Sequence, residues 1–287
     1  MSKEPQKIKN PRKFQRRLQR QAGVFSTKFR TALERWFYAI DKEYRYVLRV
    51  MGITKATIVK AGLDDDIIRL FNWRFVEGEG KEILTAAELR MYQQAVKAAL
   101  MFAGLAMLVD AEGMEALNSK FLRIAEVRAG VLVTNISAGM RQNIHDAVVE
   151  ALRTGQSADV LARAIRPGLP VLPVSINRIN RQMAEKISAG LSRSKAMTWA
   201  GKEMTRMRNY RAFMIARTEA STAMNEGALM GYGEAGVQMV EWLASVTACE
   251  DCLDYAGQRF PIGEADGLIP LHPNGMCTWI PVIESVA

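Results

Sequence analysis

Cysteine and histidine are scarce in this chain of 287 residues, which contains three cysteines and two histidines. Three cysteines cannot all pair with one another, so the sequence does not support the disulfide framework that small secreted domains use. The first sixty residues do not have the form of an export signal. The sequence therefore predicts reduced thiols in a cytoplasmic globular protein.

Long hydrophobic runs are also absent. The longest uncharged apolar run, Ala98 to Val109, has twelve residues, whereas a helix that spans a bilayer needs about 20. We interpret this run as part of a buried helix. The preceding Thr85-Ala86-Ala87-Glu88 has the form of a capping box, which predicts that the helix begins there.

Charge is distributed unevenly along the chain. Residues 1–60 carry a net charge of +12, residues 177–217 carry +8, and residues 226–287 carry −8, against +9 for the whole chain. Basic segments of this density predict contact with an acidic partner. Overall length and hydrophobic content are those of a globular protein with one or two domains.

Residues 1–24 are predicted to form a flexible basic arm. Only Ile8, Phe14 and Leu18 are apolar between residues 7 and 20, which is too little to bury. We expect this segment to become ordered against a phosphate backbone or an acidic protein surface. Our hypothesis is that it binds DNA without sequence preference. The candidate contacts are Lys7, Lys9, Arg12, Lys13, Arg16, Arg17 and Arg20.

A helical domain is predicted for residues 25–166, where apolar residues recur at helical spacing. Prolines 167, 170 and 173 then predict an extended linker over residues 167–175. A helical segment and a C-terminal module follow, over residues 176–287. The turn around Gly155 is also compatible with a DNA-reading helix-turn-helix, although helical hairpins without that role are common.

The cysteines and one histidine form a compact pattern, Cys249-x2-Cys252-x19-His272-x4-Cys277. Each short spacing allows two donors to bind one side of a tetrahedral ion, so the pattern predicts a zinc site with all four as ligands. Four protein ligands favour a structural role, because a catalytic zinc leaves one position open. The His-x-Glu of zinc deaminases does not precede this CxxC.

Two strands are predicted in the C-terminal module, at Val237–Leu243 and at residues 278–283, where Pro281 restricts the second strand to a sheet edge. The predicted fold class is therefore mainly α, a helical body with a small C-terminal α+β zinc-binding module. About fifty residues with two short strands have little core, and zinc would supply the missing stability.

The second half of the chain resembles a known family. Its segments are, in order, Ile215-Ala216-Arg217-Thr218-Glu219, Asn225, a strand containing Trp242, Cys249-Glu250-Asp251-Cys252, Gly257-Gln258-Arg259-Phe260-Pro261, and His272-Pro273-Asn274 with Cys277. This order is similar to the Mu F-like head-morphogenesis family, the minor head proteins of tailed bacteriophages. The resemblance covers roughly residues 150–283. Gly275 stands where the family has a further cysteine, so His272 would complete the ligand set.

The resemblance implies a structural minor head protein located in the virion, at the portal and capsid interior, and in the host cytoplasm during assembly. Its implied partners are the portal or major capsid protein, and its implied role is in capsid assembly and DNA packaging or ejection. A phage zinc-dependent nucleic-acid-processing enzyme is one alternative, and a DNA-binding regulator that uses the Gly155 turn is another.

No set of nucleophile, base and orienting group is recognisable in the sequence, so we expect no enzymatic activity and no catalytic residues. Glu219 and Glu226 share a helix face, but seven residues separate them by about 10.5 Å along the axis, which is wide for an acid/base pair. We interpret them as residues that bond the helix to the zinc module.

Overall fold

The computed structural model describes residues 11–51, 63–103, 105–106, 109–154 and 170–283. Helices dominate, and a three-stranded sheet lies near the C-terminal end, so the predicted mainly α fold with a small C-terminal α+β module is confirmed. The helices are α1 (Pro11–Val50), α2 (Leu63–Leu70), α3 (Trp73–Ala103), α4 (Ala111–Thr154), α5 (Pro173–Ser188), α6 (Arg193–Glu234) and α7 (Glu250–Asp254). The strands are β1 (Met239–Leu243), β2 (Arg259–Pro261) and β3 (Thr278–Val282).

Helix α1 begins within the segment that its charge predicts to be a flexible arm. Residues 11–24 are helical, and Phe14 and Leu18 are 3% and 2% exposed. The reason is that residues distant in sequence cover this apolar stripe: Gln15 donates a hydrogen bond of 2.8 Å to the carbonyl of Ala244. A count of local apolar residues cannot detect such a partner. The boundary predicted at residue 24 is therefore replaced by a helix that runs to Val50.

Two other sequence-based boundaries also change. Thr85 and Glu88 lie inside α3, which begins at Trp73, so they do not cap its start. Glu88 is instead fully buried. Pro173, assigned to an extended linker, is the first residue of α5, a position that suits proline because its missing N–H has no helical partner there. Residues 155–169, including Gly155 and Pro167, lie outside the described residues.

The chain divides into two compact units whose limits differ from the predicted domains. The first unit contains residues 1–32, 84–128 and 213–287, and the second contains residues 33–83 and 129–212. The boundaries between the two units lie inside helices α1, α3, α4 and α6. Proline and glycine signals for linkers therefore do not coincide with them. Among the helices of the described ranges, none is long and apolar enough to cross a membrane.

The second unit is held together by side chains of α1, α3 and α4. The Trp36 indole is fully buried and donates a hydrogen bond of 2.8 Å to the carbonyl of Val76. Arg141 lies 4.0 Å from the ring centroid of Trp73 and forms an ion pair with Glu77 at 2.9 Å. These contacts fix the first turns of α3 against its neighbours.

The sheet belongs to the first unit and has the order β2-β1-β3, with both pairs antiparallel. Strand β3 is an edge strand, as Pro281 predicts, and Trp242 is paired with Trp279 across β1 and β3. Strand β2 was not predicted, because three residues are too few to show an alternating pattern. The rings of Trp242 and Trp279 meet edge to face at 5.3 Å and are fully buried.

Gly80 provides a stability test of the α1 and α3 packing. A Cβ at Gly80 would stand 2.3 Å from the Trp36 ring, whereas a Cβ at Gly78, in the same helix, would meet nothing within 4 Å. We expect Gly80→Ala to destabilise the protein by about 1–3 kcal/mol through overpacking. Gly78→Ala should stabilise it by up to about 1 kcal/mol through helix propensity. Chemical denaturation measures both, and equal effects would contradict this packing.

Candidate metal centre

The short helix α7 brings two of the predicted ligands, Cys249 and Cys252, together. Cys249 immediately precedes helix α7, and Cys252 lies within it, so the CxxC spacing becomes one helical turn. His272 comes from the loop that leads to β3. Acidic residues Glu250 and Asp251 in the first turn are favourable at a helix N-terminus. Local helix formation therefore presents both sulfurs on one side.

The three donors face a common point. Nε2 of His272 lies 3.2 Å from Sγ of Cys249 and 3.4 Å from Sγ of Cys252. All three donor atoms are within 4.8 Å of one another. Tetrahedral zinc with ordinary bond lengths would separate a sulfur and a nitrogen ligand by about 3.6 Å. The Cys₂His group therefore can hold a metal ion, and the donors are close to the separation that such an ion requires.

The protonation of His272 is suited to metal binding. Nδ1 lies 2.9 Å from the carbonyl oxygen of Pro273, which can only accept a hydrogen bond. Nδ1 of the neutral ring therefore carries the proton, and the lone pair of Nε2 points to the two sulfurs. A backbone carbonyl commonly orients a metal-binding histidine in this way.

The two thiols of the CxxC differ in their surroundings. A hydrogen bond from the Cys252 backbone N–H lowers the pKa of the exposed Cys249, and His272 contributes in the same direction. Burial, together with smaller contributions from its neighbours Cys249 and Cys277, raises the pKa of Cys252 to about 12. The hydrogen bond to Pro273 raises the pKa of His272. A bound cation would displace these protons, because thiolate and neutral imidazole are the binding forms.

Cys277 lies beside this group. It is 3% exposed and is close enough to Cys252 to contribute to the raised pKa of that thiol. Its sulfur is not among the donor atoms that all lie within 4.8 Å of one another. The structure thus brings three of the four predicted ligands together and leaves Cys277 next to one of them.

Helix α6 fixes the backbone around the centre. The buried side chain of Asn225 donates a hydrogen bond of 3.1 Å to the carbonyl of Cys277 and accepts one of 3.0 Å from the N–H of Trp279. Thr218 Oγ1 accepts a hydrogen bond from the N–H of Asn274, two residues after His272. Two side chains of one helix therefore bond the segment that leads from His272 into β3.

Helix α1 contacts the same module from another side. Gln15 donates hydrogen bonds to the carbonyls of Leu243, the last residue of β1, and of Ala244, which follows it. Gln19 donates to Oγ of Ser245 and to the carbonyl of Met276, both at 3.3 Å. These two glutamines bond the segments that precede Cys249 and Cys277.

The predicted nucleic-acid residues lie on α1 as far as the structure describes them. Arg12, Lys13, Arg16, Arg17 and Arg20 are exposed, while Lys7 and Lys9 lie outside the described residues. The guanidinium of Arg17 lies over the ring of Phe102, 5.6 Å from its centroid. A helix gives these side chains fixed directions, which a flexible arm would not.

A second cluster of ionisable groups is buried in the first unit. Arg128 of α4 faces three glutamates: it bonds Glu219 through Nε at 2.9 Å, and lies 3.6 Å from Glu226 and 3.9 Å from Glu88. Tyr92 donates a hydrogen bond to Glu226. Glu219 and Glu226 thus share an arginine of α4, whereas the sequence predicts bonds to the C-terminal module.

Crowding of carboxylates around one arginine changes their protonation. Burial raises the pKa of Glu88 to about 9, with Glu219 adding to the rise and Arg128 opposing it. Burial also raises the pKa of Glu226. Both carboxylate oxygens of Glu88 are buried without a hydrogen-bond partner among the described residues. Glu88 is therefore a neutral acid at pH 7, which reduces the negative charge around Arg128.

Glu88, Tyr92 and Arg128 were not predicted from the sequence. Glu219 is 91 residues from Arg128, and Tyr92 is 134 residues from Glu226. A glutamate in the middle of an apolar helix face was the one available signal, because glutamate is seldom buried without a partner. Its position three residues after Thr85 suggested a helix cap instead.

Comparison with known proteins identifies no relative: no protein-family model matches the chain, and no curated protein or solved structure is similar to it. The functional conclusion therefore depends on the geometry of the chain's own residues.

The metal centre can be tested by composition. We expect one metal ion per chain, and Cys252→Ser should abolish it because Cys252 is the buried donor. His272→Ala should weaken binding less, since water can occupy the vacated position. His145→Ala, at the only other histidine, is the matched control. Elemental analysis of protein purified without added metal gives the stoichiometry, and a metal-free wild type with three titratable thiols would contradict the site.

The buried acid predicts a pH dependence of stability. The pKa of Glu88 is raised on folding. Its contribution to the stability of the folded state is therefore fully present below about pH 4.5 and is lost as the pH rises towards 9. Glu88→Gln should remove this loss. The free energy of unfolding of the variant should therefore rise relative to that of the wild type by up to about 1.4 kcal/mol per pH unit in that range. Exposed Glu82→Gln in α3 is the control. Denaturation at several pH values measures both, and parallel wild-type and Glu88→Gln profiles would contradict the assignment.

Proposed function

We propose that this chain is a structural minor head protein of a tailed bacteriophage, acting in capsid assembly and in DNA packaging or ejection at the portal and capsid interior. One observation carries the proposal. Residues that suggested the resemblance are scattered from Thr218 to Cys277, and they meet in one module. Asn225 bonds the backbone of Cys277 and Trp279, and Thr218 bonds that of Asn274.

The residue that departs from the family pattern also supports the proposal. A Cβ at Gly275 would stand 3.7 Å from Cε1 of His272 and 3.1 Å from the His272 carbonyl oxygen. The position where the family has a cysteine thus borders the ring that faces Cys249 and Cys252. This placement supports His272 as the ligand that this chain uses in place of that cysteine.

Zinc is the metal that we propose for the centre. Thiolate with imidazole is a donor set that zinc prefers, and Mg²⁺ or Ca²⁺ would select oxygen ligands. Cys249, Cys252 and His272 would hold the ion, with Cys277 as the adjacent fourth donor. Bound there, zinc would join α7 to the loop before β3 and so stabilise a small module. The elemental analysis described above identifies the metal.

A catalytic role has one observation in its favour, the buried acids with raised pKa around Arg128. Their surroundings support a structural role instead. Glu88 is fully buried, and Arg128 with Tyr92 already bonds Glu219 and Glu226. Ion-pair networks inside a protein shift pKa values in the same way. We therefore propose that these groups hold α3, α4 and α6 together and that the chain is not an enzyme.

The function can be tested in the phage or prophage that encodes the chain. Deletion of the gene should reduce infectious titre and produce heads that are misassembled or lack DNA, and the wild-type gene should restore both. Purified heads should contain the chain in few copies, together with the portal or major capsid protein. The Cys252→Ser gene should restore less than the His145→Ala gene. Normal titre after deletion, with heads that lack the chain, would refute the proposal.

A further inference from the structure

We infer that a cleft between α1 and the C-terminal module binds backbone phosphates of duplex DNA. The cleft has a volume of about 390 Å³, at the lower end of the range of ligand sites. One wall is a face of α1, and the other comes from α6 and the loops after β1 and before β3. Its polar lining residues are Gln19, Ser26, Thr27, Arg30, Arg217, Ser245 and Thr247.

Arg217 gives the cleft its preference for an anion. Its guanidinium lies over the ring of Phe213, 6.0 Å from the centroid. Its Nε is buried and has no hydrogen-bond partner among the described residues. Arg217 also lines the cleft, and a phosphate oxygen accepts hydrogen bonds from a guanidinium group while carrying the opposite charge. No described residue that lines the cleft is acidic.

Arg30 places a second cation on the opposite wall. It is exposed and lies on α1, next to the hydroxyl-bearing residues Ser26 and Thr27. Two guanidinium groups with neighbouring hydroxyls are a donor set typical of phosphate recognition. The chemistry of the cleft thus selects a phosphate group over a neutral ligand.

The length of the basic stripe favours a polymer over a single phosphate. Residues 11–33 contain seven Lys or Arg and no Asp or Glu. At 100° per residue, Arg12 and Arg16 fall on the same side of α1 as Arg30, and both are exposed. Arg12 and Arg30 are about 27 Å apart along the helix. That distance matches about eight successive phosphates of one DNA strand.

Lys28 and Arg17 provide an internal contrast. Lys28 is two residues from Arg30, which places it about 160° away around the helix. Arg17 lies on the same stripe as Lys28 and is placed over Phe102. These two cations therefore belong to the same helix but face away from the cleft.

The test is the salt dependence of DNA binding by the full-length chain. Fluorescence anisotropy with a short duplex of arbitrary sequence should give a log–log slope that reports the number of phosphate contacts. Arg30→Gln with Arg217→Gln should reduce the magnitude of that slope by about 2, at about 0.9 per contact. Lys28→Gln removes one charge from the opposite side of the same helix and should leave the slope unchanged. A reduction by Lys28→Gln equal to that by Arg30→Gln would overturn the cleft as the site.

Two further variants keep the test independent of folding. Arg30→Gln alone changes an exposed residue and should lower the slope by about 1. Arg217→Lys retains the charge and should keep most of the slope. Inorganic phosphate is the second probe. If the wild type binds phosphate but not duplex DNA, and Arg30→Gln abolishes the phosphate binding, the cleft is a site for free phosphate. That result would overturn the DNA assignment.

This inference depends on the proposed function only for the choice of duplex DNA, and the two fail separately. If the chain is absent from purified heads but its cleft variants lose DNA contacts, only the proposed function is refuted. If the chain is present in purified heads but its cleft variants bind DNA as the wild type does, only the inference about the cleft is refuted.

Discussion

The side chain of Asn225 is the constraint on which the C-terminal module depends. It is 2% exposed. Its amide nitrogen donates a hydrogen bond to the carbonyl of Cys277, and its amide oxygen accepts one from the N–H of Trp279. Burial removes water as a competing partner, so both bonds must form for the amide to be satisfied. One residue of α6 therefore sets the position of a metal-side thiol and of the strand that carries Trp279.

The module combines three weak sources of stability into one. Its apolar core is small and includes an aromatic cluster of Trp242, Trp279 and Phe260 with Tyr255 at its border. Helices α1 and α6 contribute hydrogen bonds to its loops, and the Cys₂His group can add a metal crosslink between α7 and the loop before β3. The hydrogen bonds and the metal crosslink both act on the loop before β3, while the aromatic core holds the strands.

Sequence reasoning succeeded where the informative residues are close together. The CxxC spacing, the strands that carry Trp242 and Trp279, and the edge position of Pro281 are local patterns, and the structure contains them. It failed where the partner is distant. Phe14 and Leu18 are too few to form a core alone, yet residues more than 200 positions away help to cover α1. Glu88 was assigned to a helix cap because Arg128 belongs to another helix, and no spacing rule connects the two.

The hydrogen bond between Gln15 and Ala244 spans 229 residues of chain. During synthesis, α1 is complete long before β1 has left the ribosome, so Gln15 lacks this partner while more than 200 residues are added. Closing so long a loop is also slow, because its entropic cost comes before its contacts form. Assembly of the first unit is therefore late relative to the synthesis of α1, and until then the basic helix is available to other partners in the cell.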